Sequence, residues 1–136
     1  MRFDTKIGIV VRDDLASWQR LNVTAYLAGA IAADVPELIG EPYVDGSGNR
    51  YLPTLGQPVL VFGAGKDGLA QARERALTRF LRTAIYTEDM FATDNDADNR
   101  AVVRAVQAAD LRLVGLAAYG RRNDVDKALK GLALHP

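Results

Sequence analysis

The sequence predicts an α/β fold in which a mixed, mostly parallel sheet lies between two layers of helices. Two observations lead to this three-layer α/β/α prediction. Short apolar segments rich in β-branched residues, as at residues 7–11, are typical of strands covered on both faces. Longer segments between them repeat apolar residues every three to four positions, as helices packed on a sheet do. The length of 136 residues suits a single domain spanning residues 1–136.

The first half of the chain predicts a strand, a long helix, a hairpin and a second strand. The helix follows the strand at residues 7–11 and is nearly uncharged, and Val35 with Pro36 ends it because proline lacks an amide donor and restricts the residue before it. Residues 40–58 predict irregular structure with a hairpin, since short apolar segments flank the DGSGN sequence at residues 45–49. Residues 59–62 predict the second buried strand.

The second half predicts three more helices and two more strands. Apolar residues at helical spacing predict an amphipathic helix over residues 67–84, followed by a short strand at residues 85–86. Thr93 and Asp96 resemble a capping pair for the next helix. The last strand is predicted at residues 113–117, and a final helix begins near Asn123. This alternation of strands and helices favours parallel strands joined by helical crossovers.

Composition excludes several classes of function. Seventeen basic and seventeen acidic residues cancel, which argues against binding to nucleic acid or to an anionic membrane. No cysteine is present, and no spacing of acidic residues matches a metal-binding loop, so we predict no metal site. His135, the single histidine, stands next to the C-terminus, where we expect a disordered tail rather than a catalytic group. No signal peptide is recognised, and the uncharged residues 21–33 are too few to span a bilayer, so we expect a cytoplasmic protein.

A glycine-rich segment suggests one alternative function. Gly63, Gly65 and Gly68 match the G-x-G-x-x-G pattern between a predicted strand and a predicted helix, and Glu88 follows twenty residues later. In a dinucleotide site such glycines admit the pyrophosphate and the acidic residue binds a ribose hydroxyl. The roughly seventy residues after the motif are few for a complete dinucleotide fold. A tight loop without a cofactor is therefore the favoured interpretation.

Four short segments resemble known proteins. The K-x-x-x-V-V-R-x-D-L pattern at residues 6–15 and GLAAYG at residues 115–120 are similar to the opening and the ending of peptidyl-tRNA hydrolase type II. LNVTAYLA at residues 21–28 and T-x-x-M-x-x-T at residues 87–93 resemble an uncharacterised bacterial family, domain of unknown function 2000, built on the same fold. The resemblance implies the peptidyl-tRNA hydrolase type II fold over most of the chain.

The catalytic residues of the hydrolase do not carry over. Its K-x-A-A-Q-x-x-H-A helix motif places lysine on Arg20, glutamine on Thr24 and histidine on Leu27, and its D-A-G loop is absent. Tyr26 stands where the uncharacterised family is expected to favour histidine. The resemblance therefore implies the fold without the hydrolase's catalytic groups.

Polar residues on the first helix and on the loop after the third strand predict a binding site. Loops at the carboxyl ends of strands commonly hold ligands in open α/β sheets. The alternative is structural, with the amide of the first helix satisfying buried groups and its phenol packing in the core. A strand-to-helix junction near the C-terminus adds an anion-binding candidate. The predicted binding residues are Asn22, Tyr26, Thr87, Met90, Thr93, Tyr119 and Arg121.

Three functional hypotheses follow. The leading one is a binding module, without a cofactor, for an unknown small molecule or protein. The second is residual hydrolysis of peptidyl-tRNA or a related ester, in which Asn22 orients the carbonyl or water and Asp89 acts as the base. The third is dinucleotide binding at Gly63, Gly65, Gly68 and Glu88. An Ala-rich apolar surface also makes a homodimer one of the predictions.

Overall fold

The structure is a computed structural model that describes residues 2–136. Seven strands and four α-helices lie within these residues, together with short 3-10 turns at Pro36–Leu38, Glu88–Ala92 and Ala108–Asp110. In chain order the elements are β1 (Thr5–Arg12), α1 (Ser17–Asp34), β2 (Tyr43–Val44), β3 (Arg50–Tyr51), β4 (Val59–Ala64), α2 (Lys66–Thr78), β5 (Arg82–Thr87), α3 (Asp96–Arg104), β6 (Leu113–Arg121), α4 (Arg122–Ala128) and β7 (Ala133–Leu134).

The main sheet is mixed and mostly antiparallel, so the predicted mostly parallel sheet is wrong. Its order is β5-β6-β1-β4-β7, and only β1 and β4 pair in parallel. The other three pairs are antiparallel. The strands β1, β4 and β5 do run in one direction, as strands joined by helical crossovers should. However, β6 runs the opposite way and lies between β5 and β1, so β5 has no parallel neighbour.

Helices cover both faces of the sheet. Alternate side chains of β1 point to opposite faces, because a strand has a period of two residues. Ile7, Ile9 and Val11 join the core beneath α1, whereas Val10 joins the core beneath α2 and α4. The three-layer arrangement predicted from the alternation of strands and helices is therefore present.

The long helix α1 lies close against the centre of the sheet. It buries Val23, Leu27 and Ile31. A Cβ on Gly115 of β6 would overlap with the side chains of Val23 and Leu27, so glycine at this position allows the close approach. The helix ends just before Val35, as the sequence predicts. Neither α1 nor any other helix within residues 2–136 is long and apolar enough to cross a membrane.

The helix α2 ends at Thr78, so the predicted continuation to residue 84 is wrong. Phe80 takes a left-handed conformation with φ of 57°, and the amide of Leu81 donates to the Ala76 carbonyl at 3.0 Å. This geometry is that of a helix C-cap, where glycine usually stands. Apolar residues at helical spacing continue past the cap into β5, which is why periodicity alone extends the helix too far.

The C-terminal segment is part of the sheet. β7 pairs with β4, so the strand predicted at residues 113–117 is not the last one. The amide of His135 donates to the Val61 carbonyl at 2.9 Å, and its ring lies 3.2 Å from the guanidinium of Arg20. The expectation that His135 belongs to a disordered tail is therefore wrong. Two residues of strand are too short a signal to recognise from sequence.

Candidate functional site

Two groups of side chains gather at one end of the sheet. The carboxyl ends of β1, β4 and β5 lie there because these strands run in one direction, and β6 begins there. The first group is uncharged and lies on the face covered by α1. The second group is charged and surrounds the end of β1. Both include residues that follow β5, where the sequence predicts a binding loop.

The uncharged group forms what we call the aromatic surface, made of Trp18, Asn22, Tyr26, Tyr86 and Phe91. The ring centroids of Trp18 and Phe91 are 6.0 Å apart, those of Phe91 and Tyr86 5.1 Å, and those of Tyr86 and Tyr26 5.7 Å. The contacts are edge-on or tilted, as aromatic pairs prefer. Positions 18, 22 and 26 are spaced by one helical turn, so α1 presents them along one stripe.

Polar atoms of the aromatic surface converge on Tyr86. Burial raises the pKa of Tyr86, the neighbouring Tyr26 raises it further, and a hydrogen bond from the Asn22 side chain opposes them. Tyr86 is 5% exposed, whereas Tyr26 is 57% exposed and Trp18 is 63% exposed. The surface thus has a buried phenol at its base, an amide beside it, and two exposed aromatic rings above.

The predicted loop residues Thr87, Met90 and Thr93 shape the segment that carries Phe91. The amide of Thr87 donates to the Met90 sulfur at 3.3 Å, and the Thr93 hydroxyl donates to the Met90 carbonyl at 3.0 Å and also contacts Asn99 of α3. Met90 packs against the core beneath α1. The Thr87 hydroxyl is buried and has no hydrogen-bond partner within residues 2–136. These three residues lie within the fold of the loop rather than on its exposed surface.

The charged group forms what we call the charged cluster, made of Arg12, Asp14, Lys66, Glu88, Asp89 and Arg112. It is centred on Arg12, whose side chain is buried. Its Nε donates to Asp14 at 2.6 Å, one Nη donates to Glu88 at 2.7 Å, and the other donates to the Leu113 carbonyl at 3.2 Å. The hydrogen bonds from Arg12 hold the pKa values of Asp14 and Glu88 below their ordinary range. Burial lowers the pKa of Arg12, but the two carboxylates raise it, and the pKa is raised on balance.

A second arginine extends this charged cluster. Arg112 is ion-paired with Glu88 at 3.4 Å and also with Asp89. Lys66, at the start of α2, lies near enough to lower the pKa values of Asp14 and Glu88 further. Arg12, Lys66 and Arg112 line a small cavity of about 100 Å³. Within residues 2–136, no three side chains of the metal-binding types come together so that they could hold a metal ion.

The glycine-rich segment occupies three different environments. Gly63 lies inside β4, where it pairs with Val11 on one side and Ala133 on the other. Gly65 is the N-cap of α2, and open space surrounds it. A Cβ on Gly68 would come within 3.2 Å of Ala64 and 3.3 Å of Leu132, so packing accounts for this glycine.

The predicted partner of these glycines is separated from them in the sheet. Glu88 follows β5, and β6 and β1 lie between β5 and β4. In a dinucleotide-binding unit the strand after the helix lies next to the first strand. Glu88 is moreover held by Arg12 and Arg112. The twenty-residue spacing in sequence therefore does not bring the carboxylate beside the glycine-rich segment.

The positions that correspond to the hydrolase's catalytic residues have structural partners. The guanidinium of Arg20 donates to the carbonyls of Leu15 at 2.9 Å and Asp13 at 2.7 Å. The Thr24 hydroxyl donates to the carbonyl of Arg20 within α1. Leu27 is buried in the core beneath the helix. Asp89, the predicted base, is paired with Arg112, whereas Asn22 lies beside the phenol of Tyr86.

Tyr119 and Arg121 lie at the other end of the sheet. Tyr119 pairs with Ile7 at the start of β1 and with Arg82 at the start of β5. Arg121 is exposed and lines a surface depression of about 550 Å³ together with N-terminal residues. The structure therefore does not bring these two residues together with Asn22 and Tyr26.

Sequence reasoning missed Tyr86 and the role of Arg12. Tyr86 was predictable as a strand residue, but only the pairing of β5 with β6 sets it beneath α1. A signal for Arg12 was present, since a charge at the end of an unbroken apolar strand requires buried partners. Phe91 and Trp18 gave no periodic signal that would bring them together.

Comparisons with known proteins agree on an uncharacterised family. The sequence model of a family described as protein of unknown function (DUF2000) matches residues 5–136. The solved structure of a protein of unknown function from Agrobacterium tumefaciens strain C58 is similar, with a TM-score of 0.97 and 46% sequence identity over 99% of this chain and 100% of that one. No curated protein matches the chain.

Proposed function

The chain belongs to the DUF2000 family of proteins of unknown function, and we propose that it is a noncatalytic binding module that recognises an uncharged ligand at the aromatic surface. The observation that carries this proposal is the convergence of Asn22 and Tyr26 with the buried Tyr86 at the surface of α1. The resemblance to peptidyl-tRNA hydrolase type II remains a hypothesis about the fold.

The chemistry of the five side chains favours a neutral ligand with a flat apolar face and a polar edge. Trp18, Tyr26 and Phe91 offer rings that can stack on such a face. Asn22 supplies both a donor and an acceptor, and the phenols supply two further hydroxyls. None of these groups carries a charge at neutral pH, so the surface offers a phosphate or carboxylate no ionic partner.

The same chemistry does not favour hydrolysis. An acyl transfer needs a nucleophile or a general base, and such a base must lie within hydrogen-bond reach of the proton it removes. The aromatic surface has no carboxylate, histidine or lysine among its members. The carboxylate proposed as a base, Asp89, is held by Arg112 instead.

Trp18 provides a direct test because it is the only tryptophan in the chain and is exposed at the aromatic surface. We would titrate the protein with adenosine and uridine as uncharged planar probes, and with NAD and uncharged tRNA as charged comparators, following tryptophan fluorescence. A saturable change with a nucleoside is expected. Tyr26→Ala should abolish this change, because it removes an exposed stacking ring and leaves the buried Tyr86 in place.

Tyr43→Ala is a matched control. Tyr43 is 55% exposed, close to the 57% of Tyr26, but it lies on the β2–β3 hairpin. This variant should bind as the wild type does. Equal loss of binding in both variants, a response to NAD or tRNA alone, or no response to either nucleoside would contradict the proposal. Turnover of peptidyl-tRNA would contradict its noncatalytic part.

A further inference from the structure

The helix α1 is apolar on its exposed face as well as on its buried face. No charged residue occurs between Arg20 and Asp34. We call Leu21, Ala25, Gly29 and Ala33 the outer face of α1, since all four are exposed and follow one another at intervals of one turn. A helix that is apolar all round is normally buried on all sides. No element within residues 2–136 covers the outer face.

The exposed area on this side of α1 is large enough for a small protein interface. Leu21 is 72% exposed, and Trp18 and Tyr26, which lie on one side of it along α1, have more than half of their surface in solvent. With the small residues of the outer face, these side chains offer at most about 600 Å² per copy, so a pair that covered them completely would bury about 1,200 Å², the lower limit of stable interfaces.

The outer face is also complementary to itself. Leu21 stands one turn before Ala25, and Gly29 stands one turn after it. No atom of residues 2–136 lies within 4 Å of the position that a Cβ on Gly29 would occupy, so no contact among these residues requires glycine there. An exposed glycine inside a helix costs about 1 kcal/mol relative to alanine. Two antiparallel copies of α1 that cross at Ala25 would each insert Leu21 over the Gly29 of the other.

We propose that the outer face of α1 is the interface of a two-fold homodimer whose axis passes near Ala25. A second copy fits this face because a two-fold interface joins a patch to itself. The uncharged face brings no like charges together when it does so. A different protein would more often be selected by a complementary charge pattern, and the outer face has none. Such a dimer would cover Trp18 and Tyr26, so a ligand on the aromatic surface and the second copy would compete for these two side chains.

Sedimentation velocity over a concentration series tests the dimer. The wild type should change from the mass of one chain to twice that mass as its concentration rises into the hundreds of micromolar. Ala25→Lys should raise the dissociation constant by about a hundredfold or more, because the two ammonium groups would face each other across the axis. Ala101→Lys on α3 is the control, since it adds the same charge at an exposed helical alanine elsewhere.

Charge reversal tests the position of the axis. Ala25→Glu alone should also be monomeric, whereas an equimolar mixture of the Ala25→Lys and Ala25→Glu proteins should form a mixed dimer. Circular dichroism at low concentration should show the same fold for every variant, because position 25 is exposed. A wild type that stays monomeric, dimers that persist in Ala25→Lys, an equal loss in Ala101→Lys, or a mixture that fails to associate would overturn the proposal.

Discussion

The aromatic surface and the charged cluster lie at the same end of the sheet but use their polar groups differently. In the charged cluster, Arg12 donates to two carboxylates and a carbonyl, and Arg112 pairs with the second oxygen of Glu88 and with Asp89. On the aromatic surface, Asn22 and the exposed Tyr26 retain unused donors and acceptors. A group of ionisable residues that satisfy one another stabilises a fold, whereas uncharged groups left unsatisfied at a surface are available to a ligand.

The lowered pKa values in the charged cluster do not identify a binding site. Perturbed pKa values often mark functional residues, and the lowered pKa values of Asp14 and Glu88 would direct attention to the charged cluster. Structural ion pairs produce the same shift. Here each lowered pKa has Arg12 as its main cause, so the shifts report a satisfied network.

Replacing Arg12 with Met should have the largest effect on stability. The side chain of Arg12 is only 7% exposed, and its loss leaves Asp14 and the Leu113 carbonyl without their donor and Glu88 with Arg112 alone. We expect the free energy of unfolding in urea to fall by about 3 kcal/mol. Arg100→Met breaks an exposed pair with Asp96 and should cost at most about 0.5 kcal/mol. Similar losses in the two variants would remove the distinction between the regions.

Removing the hydroxyl of Tyr86 should have a smaller effect. Tyr86→Phe takes away the hydroxyl of a buried phenol beside Asn22 and should lower the free energy of unfolding by about 1 kcal/mol. Tyr26→Phe removes an exposed hydroxyl, so a change within about 0.5 kcal/mol is expected. Urea unfolding of both variants measures the difference. A larger loss in Tyr26→Phe would mean that its hydroxyl is already committed to the fold.

Local features of the fold were predictable, and the pairing of strands was not. The apolar run at β1, the end of α1 at Val35 and the hairpin all follow from residues within a few positions of each other. The insertion of β6 between β5 and β1 depends on contacts between residues far apart in sequence. The end of α2 is a different failure, because Phe80 adopts the left-handed conformation that sequence rules reserve for glycine.

Only the part of the candidate site that lies on α1 was predictable from the sequence. Helical spacing alone brings Asn22 and Tyr26 to one stripe of α1. Their partner Tyr86 is set beneath them by the register of β5 against β6, in which Tyr86 pairs with Gly115. Gly115 also lets α1 approach the sheet, so one long-range pairing determines both the depth of the helix and the phenol that it meets. No periodicity in the sequence predicts the pairing of Tyr86 with Gly115.

The smallest predicted effect is a change in how the free energy of unfolding depends on acidic pH. Glu88 has a pKa lowered from its ordinary 4.5, chiefly by the hydrogen bond from Arg12, so its ionisation stabilises the folded state at neutral pH. That contribution is present above the unfolded pKa and is lost as the pH falls through the folded one. Glu88→Gln places a neutral amide of the same shape near Arg12, and this amide cannot titrate, so its free energy of unfolding should fall less between about pH 6 and pH 3 than that of the wild type.

Glu74→Gln is the control for this acid effect. Glu74 is exposed on α2 and forms no ion pair within residues 2–136, so its variant should follow the wild-type pH profile. Tyr86→Phe should follow it as well, because the aromatic surface has no group that titrates in this range. A wild-type slope in Glu88→Gln would show that Arg12 does not favour the charged form of Glu88. The ion pairs of the charged cluster would then not stabilise the fold in the way that distinguishes this cluster from the aromatic surface.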